Sequence, residues 1–117
     1  KVHELPYVSP TSRGRSIVNL INLKKGETVT TAFSLKHFES FPHVLFITKK
    51  GTVKKTALVA YKHINSSGIL AINLRGDDSL VKVLGVNDDQ QVIVCSHFGK
   101  AIRFAVKDIR SMGRVAT

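Results

Sequence analysis

Apolar residues along this chain gather in short bursts rather than helical stripes. Val44-Leu45-Phe46-Ile47-Thr48 and Val92-Ile93-Val94-Cys95-Ser96 are nearly continuous apolar runs, the pattern of strands covered on both faces. Val29, Thr31, Phe33 and Leu35 alternate with smaller or polar residues, as a half-covered strand does. Lys49-Lys50-Gly51-Thr52 and His97-Phe98-Gly99-Lys100 each set a glycine between two strand-like runs. A tight turn there calls for positive φ, so each predicts a hairpin. Roughly nine strands with turn signals every ~10 residues predict an all-β sandwich, barrel or propeller. Residues 107–112 read as a single helical turn.

The chain also repeats itself. Three times an apolar pair spaced three apart precedes a Ser-x-Gly and a hydrophobic stretch: Val2/Leu5 with Ser12-Arg13-Gly14, Leu58/Tyr61 with Ser66-Ser67-Gly68, and Val106/Ile109 with Ser111-Met112-Gly113. The three glycines lie 54 and 45 residues apart. Gly14-Arg15-Ser16-Ile17-Val18-Asn19-Leu20 matches Gly68-Ile69-Leu70-Ala71-Ile72-Asn73-Leu74, and the run from Val44 to Lys55 matches that from Val92 to Arg103. The approximate units are 1–40, 41–88 and 89–117, the first and last incomplete. A period near 50 residues, about four strands, favours a propeller-like blade.

Strand phasing places cations. Ile102, Phe104 and Val106 share one face, so Arg103 points to the other and is predicted to be exposed. Lys55 is its repeat equivalent, each four residues after its glycine. One cation at the same spot on successive blades is geometry that a polyanion can follow.

Composition agrees with a packed β protein and adds a charge. At 117 residues and 43% hydrophobic the chain can bury one domain's core. No apolar stretch approaches the ~18 residues of a membrane span and no signal sequence is present, so a soluble, cytoplasmic protein is expected. The lone Cys95 lies inside an apolar run and is expected to be a small buried hydrophobe. Eighteen Lys and Arg against eight Asp and Glu give a net charge of +10, an excess that attracts polyanions, nucleic acid first. A four-stranded edge about 19 Å wide faces on the order of eleven duplex phosphate charges. With 7% aromatics and no Trp, stacking on single strands is disfavoured. No zinc-finger spacing or recognition helix offers base readout.

Catalytic chemistry has little to stand on. Asp77-Asp78 and Asp88-Asp89 lie in Gly- or Asn-containing connections, where turn formation accounts for them. Cys95 and His97 lack a second close ligand pair for zinc. Gly99-Lys100-Ala101 lacks the earlier glycine and the Ser/Thr of a phosphate-binding loop.

Taken together, Gly51-Thr52-Val53-Lys54-Lys55-Thr56, Gly68-Ile69-Leu70-Ala71-Ile72-Asn73-Leu74, Gly99-Lys100-Ala101-Ile102-Arg103-Phe104 and Asp108-Ile109-Arg110-Ser111-Met112-Gly113-Arg114 resemble the C-terminal domain of the DNA gyrase A protein, a type IIA topoisomerase component. Lys1-Val2-His3-Glu4-Leu5-Pro6 and Arg13-Gly14-Arg15-Ser16-Ile17-Val18-Asn19-Leu20 extend the resemblance over nearly the whole chain. The resemblance implies a β-pinwheel, a six-bladed ring of four-stranded antiparallel blades of which this chain is a fragment. Its basic rim would bend duplex DNA with little sequence preference, supporting ATP-dependent negative supercoiling by a heterotetramer of gyrase A and gyrase B chains. The implied phosphate contacts are Arg13, Arg15, Lys54, Lys55, Lys100, Arg103, Arg110 and Arg114. Lys54 would have to snorkel, because its repeat equivalent is the apolar Ile102.

By the same resemblance ATP and Mg are bound elsewhere in the parent enzyme, and this segment holds no cofactor, metal or catalytic residue. The family's catalytic tyrosine follows an arginine, whereas Tyr7 follows Pro6 and Tyr61 follows Ala60. The signature box Gln-Arg-Arg-Gly-Gly-Lys-Gly is absent, as expected of a chain starting after the first blade and also of a topoisomerase IV chain. Unpaired edges on such a piece predict marginal stability or self-association. Two other classes stay open on the sequence: a basic RNA-binding β module, and a structural repeat whose charge only keeps it soluble.

Overall fold

A computed structural model describes residues 4–116; Lys1, Val2 and His3, which carry part of the first repeat, lie outside the described residues. Five strands form among them: β1 (His43–Thr48), β2 (Val53–Ala57), β3 (Leu80–Val86), β4 (Gln91–Cys95) and β5 (Ala101–Ala105). One sheet has the order β2-β1-β3 and a second pairs β4 with β5. Every ladder is antiparallel.

Both predicted hairpins are present and are built alike. Gly51 and Gly99 take φ of 85° and 79°, a region that a Cβ disfavours. The Thr48 N–H donates to the Thr52 carbonyl at 2.9 Å, and the Ser96 N–H to the Lys100 carbonyl at 2.7 Å. In each loop the residue after the glycine then donates its own N–H to a hydroxyl: Thr52 to Thr48 Oγ1 at 3.0 Å, Lys100 to Ser96 Oγ at 3.1 Å. Hydroxyl side chains recur at positions 48 and 96 because the turn presents an amide there that needs an acceptor.

Side-chain alternation splits β1 between two cores. Val44 and Phe46 pack with Leu58, Tyr61 and Val83, flanked by Phe38, Phe41 and Ile72. Leu45 packs on the other side with Val86, Val92 and Val106, flanked by Ile47, Val53, Val94 and Phe104. The second cluster therefore joins the two sheets, and β1 is covered on both faces as its apolar run predicts. The equally apolar β4 is covered on one face only: Val92 is buried, whereas Ile93 is 65% exposed. Cys95 lies on that open face and is exposed, which corrects the expectation of burial. A continuous apolar run tells that a strand can be covered twice, not that both covers are present.

The repeated apolar pair also gains a structural meaning. Leu58–Tyr61 and Val106–Asp108 are short 3-10 turns, the second starting one residue before the helical turn expected at 107–112. Side chains three apart in such a turn eclipse one another. Leu58 and Tyr61 both enter the first core; Val106 and Ile109 both meet the second. Just beyond, Ser111 bridges Lys55 in parallel, and the Met112 N–H donates to the Lys55 carbonyl at 2.7 Å. The Ser-x-Gly of the third unit thus lies along the outer edge of β2, a strand of the second unit.

Fewer strands form than the roughly nine expected. Residues 14–20 hold a 3-10 turn at Ile17–Asn19 instead, with the Leu20 N–H on the Ile17 carbonyl at 2.9 Å. Residues 29–35 and 68–74 join no ladder among the described residues. In the latter the carbonyls are taken by side chains: Lys54 Nζ and Tyr61 Oη both donate to the Ala71 oxygen at 2.9 Å, and Arg114 donates to that of Leu70.

Candidate nucleic-acid interface

The eight cations singled out from the sequence divide into three groups. Arg13, Arg15, Lys100, Arg103 and Arg110 are exposed, Arg114 is half-buried, and Lys54 and Lys55 are buried. The expectation that Lys55 stands on the surface like Arg103 is corrected. Both occupy the middle of the second strand of a hairpin, but Lys55 faces Leu45 across the ladder, inside the core between the sheets. Only 4% of it is exposed.

A cation there must be paired. Lys55 Nζ donates to Asp88 Oδ1 at 2.9 Å and to the Val106 carbonyl at 3.1 Å. Asp88 comes from the turn between β3 and β4, closed by the Gln90 N–H on the Asn87 carbonyl at 3.1 Å. The hydrogen bond from Lys55 holds the Asp88 carboxyl below the usual carboxylate range against some desolvation, and His43 adds to the pull. The two sheets are thereby tied by an ion pair as well as by Leu45.

Lys54 faces the other core and is 1% exposed. Among the described residues no carboxylate pairs with it. Its Nζ donates to the carbonyls of Ala71 at 2.9 Å and Arg114 at 2.6 Å and lies 5.0 Å from the centroid of the Phe46 ring. Burial lowers its pKa, and the nearby Arg114 charge adds to the effect. Lys54 does not snorkel to the rim; it pins residues 71 and 114 to β2. Arg114 works in the same seam, donating to the Leu70 carbonyl at 2.6 Å.

The exposed cations other than Arg103 lie on connections. Arg110 directly precedes Ser111, at the outer edge of β2. Arg13 and Arg15 flank the glycine of the corresponding Ser-x-Gly in the first unit, and Lys100 ends the second hairpin loop. At the first hairpin tip, Lys50 pairs with Asp77 and donates its N–H to Asp78 Oδ1, so part of the basic run is locally neutralised. Asp78 lies below the usual carboxylate range chiefly through its hydrogen bond with the Thr48 hydroxyl. Its own N–H closes a turn on the Arg75 carbonyl at 3.1 Å, the role expected of that carboxylate pair. Tyr61 is buried, with its phenol pKa raised by that burial, while Tyr7 is 95% exposed.

Sequence reading missed Asp88 as a partner for Lys55. The signal that could have found it was the core phase of position 55, opposite the apolar Leu45, together with a carboxylate pair, Asp88-Asp89, read only as turn residues. Among the described residues no cluster of three or more His, Cys, Asp or Glu could hold a metal, and no helix is long and apolar enough to cross a membrane.

Small β-sheets stacked face to face, joined by repeated turns and carrying a basic set of connections, define a propeller-type module. The family model for the DNA gyrase C-terminal domain, a β-propeller, matches residues 1–36, 42–87 and 90–117. The chain belongs to that family. It is 40% identical over 117 residues to the DNA gyrase A protein of Salmonella typhimurium and 38% identical over 116 residues to that of Clostridium acetobutylicum. These matches cover 100% and 99% of this chain but only 13% and 14% of the relatives. Among solved structures, the C-terminal domain of DNA topoisomerase IV superposes with a TM-score of 0.90 at 32% identity, covering 99% of this chain and 36% of that one. A DNA gyrase A C-terminal domain superposes at 0.74 with 26% identity, covering 90% and 34%.

Proposed function

We propose that this segment binds and bends duplex DNA with little sequence preference, as part of a gyrase A protein that introduces negative supercoils. The observation that carries the reading is the partition of charge. Of the eight candidate cations, the two deepest are consumed inside the fold, while Arg13, Arg15, Lys100 and Arg110 are exposed on connections and outer-edge segments. Cations so placed can contact phosphates without reading bases. Family membership supports the same role. Within the parent enzyme, duplex DNA, the rest of gyrase A and the gyrase B protein are the partners, ATP and Mg are bound outside this segment, and the assembly works in the cytoplasm.

Competition binding tests the proposal. Two unrelated 40-base-pair duplexes should bind equally and should outcompete a structured RNA of the same charge. Preference for the RNA would favour a basic RNA-binding module instead, and equal indifference to both would leave the charge a solubility device.

A further inference from the structure

We propose that Phe98, at the tip of the hairpin between β4 and β5, is a wedge that inserts between base steps of bound duplex DNA and fixes where the bend is centred. This role rests on the duplex binding proposed above and adds an apolar contact to it. The ring is left in water by a closed turn. Phe98 is 90% exposed, whereas the next most exposed phenylalanine, Phe33, is 46% exposed. The Gly99 N–H donates to the Ser96 carbonyl at 3.1 Å, and the two hydrogen bonds between Ser96 and Lys100 close the loop behind it. His97 meets the ring edge-on, with centroids 5.1 Å apart and planes at 72°. A ring so held loses little freedom on insertion.

The first hairpin shows that such a tip stays open when the residues that follow it are in place. Its turn is closed in the same way, by the Gly51 N–H on the Thr48 carbonyl at 3.0 Å, and Lys50 stands where Phe98 stands, one residue before the glycine. Lys50 pairs with Asp77, yet 57% of its side chain remains exposed. A phenyl ring cannot take that carboxylate. Duplex DNA is the occupant because cations stand beside the ring: Lys100 and Arg103 are exposed, and among the described residues neither joins an ion pair. An apolar side chain flanked by cations is the chemistry of a groove-inserted wedge, the cations taking phosphates while the apolar group replaces a base-on-base stack. Unstacking costs least at pyrimidine–purine steps. These recur throughout any mixed-sequence duplex, so the wedge selects the centre of the bend and leaves overall affinity nearly independent of sequence.

The test uses the full-length protein and a duplex of about 40 base pairs with a single central TA step, 2-aminopurine in place of that adenine, and a dye at each end. Binding should raise the 2-aminopurine fluorescence at least about twofold, as unstacking relieves its quenching, and should bring the ends closer by energy transfer. Phe98→Ala should abolish the rise and lower the transfer, while the slope of log affinity against log salt stays within about 0.5 of wild type. Phe98→Leu should keep at least about half of the rise, since an aliphatic wedge also separates base steps. Phe98→Lys, which gives the second tip the residue of the first, should abolish the rise while binding at least as tightly as wild type. Each change falls on an exposed side chain, so all three variants should keep the wild-type melting curve. Duplex binding without a fluorescence rise, or a rise that Phe98→Ala leaves intact, overturns the wedge and leaves the duplex-binding reading standing; absence of duplex binding overturns both. Loss of an oligomer in Phe98→Ala, seen by sedimentation with the fluorescence unchanged, would overturn the wedge by assigning the ring to a second copy of the chain.

Discussion

Lys54 and Lys55 show how two adjacent lysines acquire different roles from strand alternation alone. One side chain enters each core, and each finds its own acceptors: carbonyls and an aromatic face for Lys54, a carboxylate for Lys55. Lys54→Met removes the donor from partly buried carbonyls and should lower stability by about 1–3 kcal/mol, read as a shifted urea midpoint. The Asp88 and Asp78 carboxyls are depressed in the folded chain. The unfolded chain therefore binds protons that the folded chain refuses, so this contribution is present above the ordinary carboxylate pKa of about 4 and is lost as pH falls through the folded values. Urea midpoints measured from pH 6 downward should fall on the acid side, and Asp88→Asn should make that fall shallower. A variant with an unchanged acid limb would show that the Lys55 pairing contributes nothing.

At the scale of elements, the hairpins were the most legible part of the sequence. Each needs only local information, a glycine at positive φ and a hydroxyl to receive the last loop amide. Gly51→Ala should cost about 1–2 kcal/mol, the penalty of a Cβ in the left-handed region; thermal unfolding measures it. Thr48→Val should cost on the order of 1 kcal/mol more than Ser96→Ala, because Thr48 is buried and serves both the Thr52 amide and Asp78. Residues 14–20, 29–35 and 68–74 resemble strands without forming them for the opposite reason. A half-covered apolar pattern states that a segment can join a sheet, but lateral partners come from elsewhere in space. Lys55 and Cys95 depart from expectation likewise: phase predicts which face a residue takes, whereas burial depends on what covers that face.

For the whole molecule, the repeat is the device that converts sequence into architecture. The second and third units each supply a hairpin and a 3-10 turn that plugs a core with an eclipsed apolar pair, and the third lays its Ser-x-Gly segment against the second. Leu45, at the junction of both sheets, should be the most sensitive aliphatic position, with Leu45→Ala costing about 2–5 kcal/mol. The fold class and family were legible because the repeats align over most of the chain; the division of cations into internal ties and exposed contacts was not, because charge counts carry no depth. That division is the central claim, and the salt dependence of duplex binding tests it most directly. If Arg13, Arg15, Lys100 and Arg110 each meet one phosphate, log affinity should fall against log salt with a slope at least as steep as about −3.6. Replacing all four by Gln should flatten that slope by nearly the same amount. An unchanged slope in the fourfold variant would contradict the account.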